Sequence, residues 1–324
     1  MAKLLASVVV IAYDRKQYIL EAIHSVLNQP VDRNEYEIIV IKNFYDEEID
    51  RFLENQGILC ISSHNRSLSG KMAESLIYAN GEYLCFLEDD DFWSPLKLAS
   101  FFSLLRKYGK IDFYHNGNVH FRRGENTFWS FRKIKNIDSV KLVSMKEANY
   151  SFAKYNKLIR NKSSYNLSSM IIKTDLLRFH VNTLSEFGND FVDSLIFYIS
   201  ALFGSNLLID RRKLTAVRVH SANRSGLNLG IGSNAYREVF NKLLKSTESQ
   251  VIRRNLFQLL SRIKLDLTIK DPKCTESAVF RCFVSFISHS VACHRIPDID
   301  MLVKSLFRLF GRRALAFLLD SYHS

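Results

Sequence analysis

The chain has few cysteines, which can form disulfides, and few prolines, which interrupt helices and strands. Its 324 residues include only five cysteines and four prolines, and no two cysteines stand in a CxxC pair. An odd number of cysteines without that spacing, mostly among apolar neighbours, predicts reduced core thiols. The cysteine pattern therefore argues against a disulfide framework and against a zinc site.

Long uninterrupted apolar runs are lacking as well. The most apolar long segment, 278–293, is broken by Arg281 and His289, whereas a membrane span needs roughly 18 apolar residues in succession. The first apolar run, which ends at Tyr13, has no small-residue cleavage site and predicts a buried strand in place of an export signal. Because 47% of the residues are hydrophobic, we expect a folded protein with a substantial core. The reduced cysteines fit a cytoplasmic location.

Acidic residues are outnumbered. The chain has 45 Lys and Arg against 33 Asp and Glu, a formal net charge of +12. Such an excess predicts an anionic partner, which can be nucleic acid, a lipid headgroup surface or a phosphorylated small molecule. One stretch runs the other way, because FLEDDDFWSP, residues 86–95, places four carboxylates side by side.

The apolar residues alternate between two periods. The β-branched run 5–13 predicts a strand buried on both faces, and apolar residues at helical spacing follow it over 19–27. Strands separated by helices within about 90 residues predict right-handed βαβ crossovers, hence an α/β fold with a mostly parallel central sheet and helices on both faces. The further elements predicted are strands at 37–41, 58–61 and 82–87 and helices at 46–54, 70–79 and 96–108, the last ending at Gly109.

The acidic cluster follows the fourth predicted strand. Ligands of open α/β sheets bind beyond the carboxyl ends of the strands. Adjacent carboxylates repel one another unless a cation lies among them, and oxygen ligands favour Mg²⁺ or Mn²⁺ held together with substrate phosphates. The alternative is a solvated acidic helix start before Pro95, where the helix dipole tolerates aspartate.

Three stretches resemble the family 2 inverting glycosyltransferases of the GT-A fold. They are SVVVIAYDRKQYILEAIHSVLNQ, EYEIIVI and ANGEYLCFLEDDDFWSPLKL, in the order and at the spacing of that family. The resemblance implies a Rossmann-like GT-A fold. It also implies metal-dependent, inverting transfer of a sugar from a nucleotide-sugar to a hydroxyl of a glycan or polyprenyl-linked acceptor.

The same resemblance implies a DxD motif that holds Mn²⁺ or Mg²⁺ against the donor diphosphate. Asp89, Asp90 and Asp91 occupy it. Asp89 and Asp90 are expected to contact the donor, while Asp90 and Asp91 are the candidate metal ligands. Which of these two aspartates touches the metal directly is left open.

Three residues at the end of the first strand match the family's nucleotide-binding turn. They are Ala12, Tyr13 and Asp14, and the resemblance implies that the aromatic ring lies by the base. The alternative for Tyr13 is a core position.

The chain departs from the family after its second strand. The family pattern there is Asp-Asp-Gly-Ser, with an aspartate that reads the base, and this chain has Lys42 and Asn43 in that place. An amide offers both a donor and an acceptor, so Asn43 can still read a base edge. Uridine and guanosine diphosphate donors both remain open. Lys71 and Arg224 are further candidates for phosphate contacts.

An inverting transfer needs a general base, which this family carries at the start of a helix. Asp190 and Asp193 both stand at such a place. Asp193 is favoured because the apolar run that follows it matches the family, and helix capping is the alternative role for Asp190. The segment that ends in Arg218 and His220 resembles the closing strand of the family, which implies that His220 is a metal ligand and Arg218 a diphosphate or structural partner.

The last quarter of the chain reads as helical. We expect a glycosyltransferase domain at 1–228, with a donor-binding half at 1–99 and an acceptor half at 100–228, and a helical region at 229–324. Residues 241–320 hold fourteen basic and seven acidic residues. Basic amphipathic helices suit peripheral contact with the inner face of a membrane, and packing or oligomerisation is the alternative. The basic residues of the final segment are Lys304, Arg308, Arg312 and Arg313.

Two other classes of function compete. A sugar nucleotidyltransferase shares the α/β arrangement, but no glycine-rich phosphate loop follows the first strand. A non-catalytic nucleic-acid binder would use the positive charge, yet it leaves the acidic cluster unexplained and has no recognisable binding motif. We therefore expect a nucleotide-sugar as the partner, and no nucleic acid.

Overall fold

The computed structural model describes residues 4–13, 15–122, 140–144, 163–189, 192–220 and 275–292, with isolated positions between 240 and 265. The chain divides into two compact units. The first comprises Met1–Glu147 and Lys162–Gly226, and the second comprises Ala148–Asn161 and Leu227–Ser324. The predictions for Asp14, Asp190, Arg224 and the basic residues of the final segment lie outside the described residues.

The first unit is built around one mixed sheet. Its strand order is β3-β2-β1-β4-β8-β6-β9-β5, and β7 pairs with β9. The strands are β1 (Ala6–Ile11), β2 (Tyr36–Lys42), β3 (Leu59–Ser62), β4 (Tyr83–Glu88), β5 (Phe92–Trp93), β6 (Phe113–Arg122), β7 (Val140–Ser144), β8 (Met170–Lys173) and β9 (Asn206–Val219).

Helices alternate with these strands. In the described part of the chain they are α1 (Ile19–Leu27), α2 (Glu47–Asn55), α3 (Leu68–Tyr78), α4 (Lys97–Tyr108), α5 (Thr174–Phe179), α6 (Val181–Ser185), α7 (Val192–Phe203) and α8 (Glu276–Ala292). Two 3₁₀ turns, Arg33–Glu35 and Leu167–Ser169, complete the set.

The parallel half of the sheet confirms the sequence prediction. Strand β1 lies between β2 and β4, and Val8 pairs with Ile38 on one side and with Cys85 on the other. All six residues of β1 are buried, because β-branched residues without polar alternation suit a strand covered on both faces. The parallel strands therefore bring the ends of β1 and β4 to the same edge.

The other half of the sheet contains the antiparallel pairs. Strand β8 runs antiparallel to both β4 and β6, while β6 and β9 are parallel. Strand β9 is 14 residues long, and its last third pairs with β5 directly after the acidic cluster. This pairing carries the residues after Val219 back to the edge where β1 and β4 end.

Two glycines explain parts of the sequence pattern. Gly109 follows α4 with a φ of 70°, a left-handed conformation that glycine adopts without strain, as the sequence predicted. Gly81 packs so closely on β1 that a Cβ there would lie 2.4 Å from the backbone of Ala6. A side chain at position 81 would therefore separate β4 from β1.

The second unit is described over α8 and a few isolated positions. Leu265 and Phe286 are fully buried against each other and form a small apolar cluster. Within the described residues, no helix is long and apolar enough to cross a membrane.

Candidate active site

The ends of β1 and β4 hold two predicted site segments together. Ile11 pairs with Glu88, so the residues that follow each strand become neighbours. The backbone N–H of Tyr13 donates to Oδ2 of Asp89 over 3.1 Å, and the N–H of Asp89 donates to the carbonyl of Ile11. The predicted nucleotide-binding turn and the DxD motif therefore form one structure.

A cation from the chain lies among the acids. The guanidinium of Arg15 contacts Asp89 at 2.5 Å and Asp90 at 2.7 Å. Burial raises the pKa of Asp89 to about 6, although the Arg15 charge opposes this rise. Sequence reasoning missed Arg15, and its position one residue after the Tyr-Asp pair of the turn was the available signal.

His220 reaches the same point from the far end of β9. Its Nε2 lies 2.8 Å from Oδ2 of Asp90 and 3.4 Å from the Arg15 guanidinium. Both side chains are mostly buried, at 16% and 8% exposure. The structure thus brings together two of the three predicted metal ligands, Asp90 and His220.

Asp91, the third, belongs to a different network. Its carboxylate accepts from Nδ2 of Asn166 over 2.9 Å and from the backbone N–H of Arg218 over 3.1 Å. Burial and the charge of Asp90 raise the pKa of Asp91 to about 7. Across the described residues, no group of three or more His, Cys, Asp or Glu side chains is arranged to hold a metal ion.

The chemistry of the Asp90 and His220 pair fits a divalent cation. A carboxylate oxygen and an imidazole nitrogen converge on one point, and the Arg15 guanidinium lies beside it. Mn²⁺ accepts mixed oxygen and nitrogen donors, and such ions are held by few protein ligands with substrate phosphates completing the shell. Two converging donors are therefore compatible with a metal bound together with a diphosphate.

Lys71 lies beneath the candidate nucleotide-binding turn. It is fully buried, and its Nζ donates to the carbonyl of Ala12 over 2.7 Å and to Oδ1 of Asn43 over 3.0 Å. The ammonium also lies 3.9 Å from the centre of the Tyr13 ring, a cation–π contact. Lys71 therefore joins the turn after β1 to the residue that departs from the family pattern.

Arg218, near the end of β9, contacts two aromatic rings and the acidic cluster. Its guanidinium lies over the rings of Tyr18 and Phe121, at 4.2 and 4.5 Å. It donates to the carbonyl of Asp90 over 3.0 Å and pairs with Glu21. These contacts fix the backbone of the acidic cluster.

Asp193 stands in the first turn of α7. Its Oδ2 accepts from the backbone N–H of Asn166 over 3.0 Å, and its Oδ1 accepts from the N–H of Ser194 over 2.7 Å. Burial raises the pKa of Asp193 to about 6. A partly exposed carboxylate with that pKa can accept a proton near neutral pH.

Two further residues lie among these acids, and sequence reasoning named neither as a site residue. Asn166 contacts Asp91 and Asp193 at once. Burial, followed by the charges of Asp91 and Asp90, raises the pKa of Glu88 well above its ordinary value. Glu88 stood in the quoted acidic run, whereas no local pattern marks Asn166.

Comparison with known proteins shows which family the chain belongs to. The profile of Glycosyl transferase family 2 matches residues 7–179, more than half of the chain. The search of curated protein sequences found no match to this chain.

The solved structures that share the fold include the following two. Residues 1–349 of S. aureus TarS, in complex with UDP-GlcNAc, are 14% identical with a TM-score of 0.60, over 94% of this chain and 89% of that one. The mannosyltransferase PcManGT from Pyrobaculum calidifontis, in complex with GDP-Man and Mn²⁺, is 13% identical with a TM-score of 0.53, over 98% and 84%.

The family profile runs from β1 to the end of α5, so it contains the turn at Tyr13, Asn43 and the whole acidic cluster. Asp193 and His220 lie beyond the matched residues. This chain therefore belongs to glycosyl transferase family 2 and is a glycosyltransferase of the GT-A fold.

Proposed function

We propose that the protein transfers a sugar from a nucleotide-sugar donor to a hydroxyl of a glycan or polyprenyl-linked acceptor, with a divalent metal and with inversion at the anomeric carbon. The observation that carries this proposal is the convergence of Asp90, His220 and Arg15 beside the turn at Tyr13. Positive and negative groups meet there at the edge of the sheet, where a diphosphate and its counterion would bind.

The donor nucleotide is assigned to the turn after β1. The Tyr13 ring and the Asn43 amide both contact the buried Lys71 ammonium, so an aromatic face and a hydrogen-bonding amide lie near each other, which suits the binding of a base. TarS is described in complex with UDP-GlcNAc and PcManGT with GDP-Man. Both uridine and guanosine diphosphate sugars are therefore donors to test.

Asp90 and His220 are the residues assigned to hold Mn²⁺ or Mg²⁺, with Asp91 behind them. A bound divalent ion would neutralise the charge that develops on the departing diphosphate. The guanidinium of Arg15, which contacts both Asp89 and Asp90, adds a second positive charge from the chain itself. Mn²⁺ is favoured because an imidazole nitrogen is one of the donors.

Asp193 is assigned as the general base. It is partly exposed, lies in the first turn of α7 and has its pKa raised by partial burial to about 6. At neutral pH the carboxylate is therefore mostly ionised and can take the proton from an acceptor hydroxyl. Attack by that hydroxyl opposite the diphosphate would invert the anomeric centre.

The positive charge of the chain indicates the class of acceptor. The net charge of +12 and the basic composition of residues 241–320 favour an anionic acceptor or an anionic surface around it. A polyprenyl-linked sugar presented at the inner membrane face meets both conditions.

Turnover with a donor panel tests the proposal. Purified protein is mixed with UDP-, GDP- and dTDP-sugars and with polyprenyl-linked or free glycan acceptors, with and without MnCl₂, and nucleoside diphosphate release is followed. We expect metal-dependent release with at least one donor and its loss in Asp90→Asn. Asp175→Asn changes an acid that is 78% exposed and serves as the control. Metal-independent turnover, or full activity of Asp90→Asn, would contradict the proposal.

A further inference from the structure

Asn166 has an unusual backbone. Among the described residues it is the one non-glycine residue with a positive φ, 69°, and its ψ is 108°. A residue with a Cβ is unfavourable there, and it persists only where surrounding contacts require it. The contacts of Asn166 therefore indicate what the strained conformation achieves.

Each polar group of Asn166 forms a hydrogen bond, either with an acid or within the turn that contains Asn166. The backbone N–H donates to Asp193 over 3.0 Å, and Nδ2 donates to Asp91 over 2.9 Å. Oδ1 accepts from the hydroxyl of Ser169 over 2.8 Å, and the carbonyl accepts from the N–H of the same serine. The side chain is 6% exposed, so these bonds are shielded from water.

Three hydrogen bonds to the carbonyl of Ser168 stabilise the turn that contains Asn166. The carbonyl of Ser168 accepts from Nζ of Lys97 over 2.5 Å and from the indole N–H of Trp93 over 2.9 Å. The hydroxyl of Thr215 donates to the same carbonyl over 3.2 Å. Because Lys97 is fully buried, its ammonium has little freedom to move away from this carbonyl.

We infer that Asn166 is a positioning residue that fixes the spacing between Asp91, beside the donor site, and Asp193, the assigned base. This inference rests on the proposed function. The base must approach the acceptor hydroxyl while the acidic cluster holds the donor, so an error of about 1 Å between the two is costly to the reaction. One residue that touches both acids removes this error.

The presence of asparagine, and not glycine, at this position indicates a role beyond forming the turn. Glycine adopts a positive φ without strain, so a turn needed only for the fold is served at least as well by glycine. Glycine cannot supply the amide that holds Asp91 and Ser169. The variants Asn166→Gly and Asn166→Ala therefore separate the backbone conformation from the amide.

The experiment compares wild type, Asn166→Gly, Asn166→Ala and Asn206→Ala. Asn206 lies at the start of β9, where its amide donates to the carbonyl of Lys110, and it touches neither acid. Thermal unfolding, donor KM, kcat and the acid limb of the kcat pH profile are measured with the donor that the wild type uses. We expect Asn166→Gly to unfold at a higher temperature than Asn166→Ala, because both variants lose the same amide hydrogen bonds and only glycine adopts the positive φ without strain.

Both Asn166 variants should nevertheless lose roughly tenfold or more in kcat, with a donor KM within about threefold of wild type and a shifted acid limb. Asn206→Ala should keep wild-type kcat. If kcat instead follows the unfolding temperature, so that Asn166→Gly is as active as wild type with the same acid limb, Asn166 is structural and the inference fails. If the wild type transfers sugar from no donor, the proposed function fails, and this inference with it.

Discussion

Nε2 of His220 lies 2.8 Å from Oδ2 of Asp90, although the two residues are 130 positions apart in the chain. The contact exists because β9 runs alongside β5 and delivers its last residues to the ends of β1 and β4. A histidine and a carboxylate at that edge, next to the turn at Tyr13, form the geometric basis of the proposed metal and diphosphate site.

Replacement of the assigned base should abolish transfer while donor binding is retained. We expect Asp193→Asn to lower kcat by about 10²–10⁴-fold, because an amide cannot accept the acceptor proton. The nucleotide dissociation constant, measured by calorimetry, should stay within about twofold, since Asp193 contacts Asn166 and Ser194 and not the turn at Tyr13. Loss of nucleotide binding, or retention of kcat, would rule out the assignment. Asp175→Asn is the matched control.

The pH profile should follow the same carboxyl group. Burial raises the pKa of Asp193 to about 6, and a general base acts only when ionised, which means above its pKa. With Mn²⁺ saturating, kcat/KM should therefore rise about tenfold per pH unit below pH 6 and level off above it. A plateau that extends down to about pH 4, near the pKa of an ordinary carboxyl group, would contradict the assignment of Asp193 as the base.

Removal of the Lys71 ammonium should loosen the nucleotide turn. In Lys71→Met the carbonyl of Ala12 and Oδ1 of Asn43 lose their common donor, and a buried unsatisfied acceptor costs about 1–3 kcal/mol. We expect a lower free energy of unfolding and roughly tenfold weaker nucleotide binding. Lys110→Met, at an exposed position, should change neither quantity. Unchanged nucleotide affinity in a folded Lys71→Met protein would separate Lys71 from the donor site.

A buried histidine should make the fold sensitive to acid. Burial lowers the pKa of His180 from 6.5 to about 4, and its ring packs 4.2 Å from that of Phe203. Between these pH values the unfolded chain binds a proton that the folded protein does not, so this contribution to stability is present above pH 6.5 and is lost on acidification. The free energy of unfolding of wild type should therefore fall more steeply from pH 6.5 to 4 than that of His180→Leu.

Other titrating groups, including the buried His115, are common to both proteins and cancel in this comparison. The exposed His64 provides the control, because His64→Leu should leave the slope of wild type unchanged. Equal slopes in wild type and His180→Leu would show that His180 is not held neutral in the folded protein.

The parallel half of the sheet could be predicted because its signals are local. The last four residues of β1 are β-branched, and Asp46 caps α2 by accepting from the N–H of Ile49. The start of α3 was predicted two residues late, at residue 70, because the cap at Ser67 was overlooked. The first strand was predicted to end two residues late, and the other boundaries in this half differ by about one residue, since helix and strand ends depend on caps more than on periodicity.

The remaining half and much of the site depend on long-range pairing. Nothing local indicates that β8 separates β4 from β6, or that Arg15 lies between Asp89 and Asp90. Strand order of this kind is set by packing across the whole domain. The positive φ of Asn166 is likewise a consequence of tertiary contacts, and a single asparagine in the sequence does not predict it.

Mn²⁺ binding in the presence of the donor nucleoside diphosphate tests the central claim most directly. The affinity is measured by electron paramagnetic resonance for wild type, Asp90→Asn, His220→Ala and the surface control His64→Ala. We predict that the first two variants weaken Mn²⁺ binding by about tenfold or more, because each removes one of few protein ligands, while the control matches wild type. Wild-type Mn²⁺ affinity in both Asp90→Asn and His220→Ala would contradict the account.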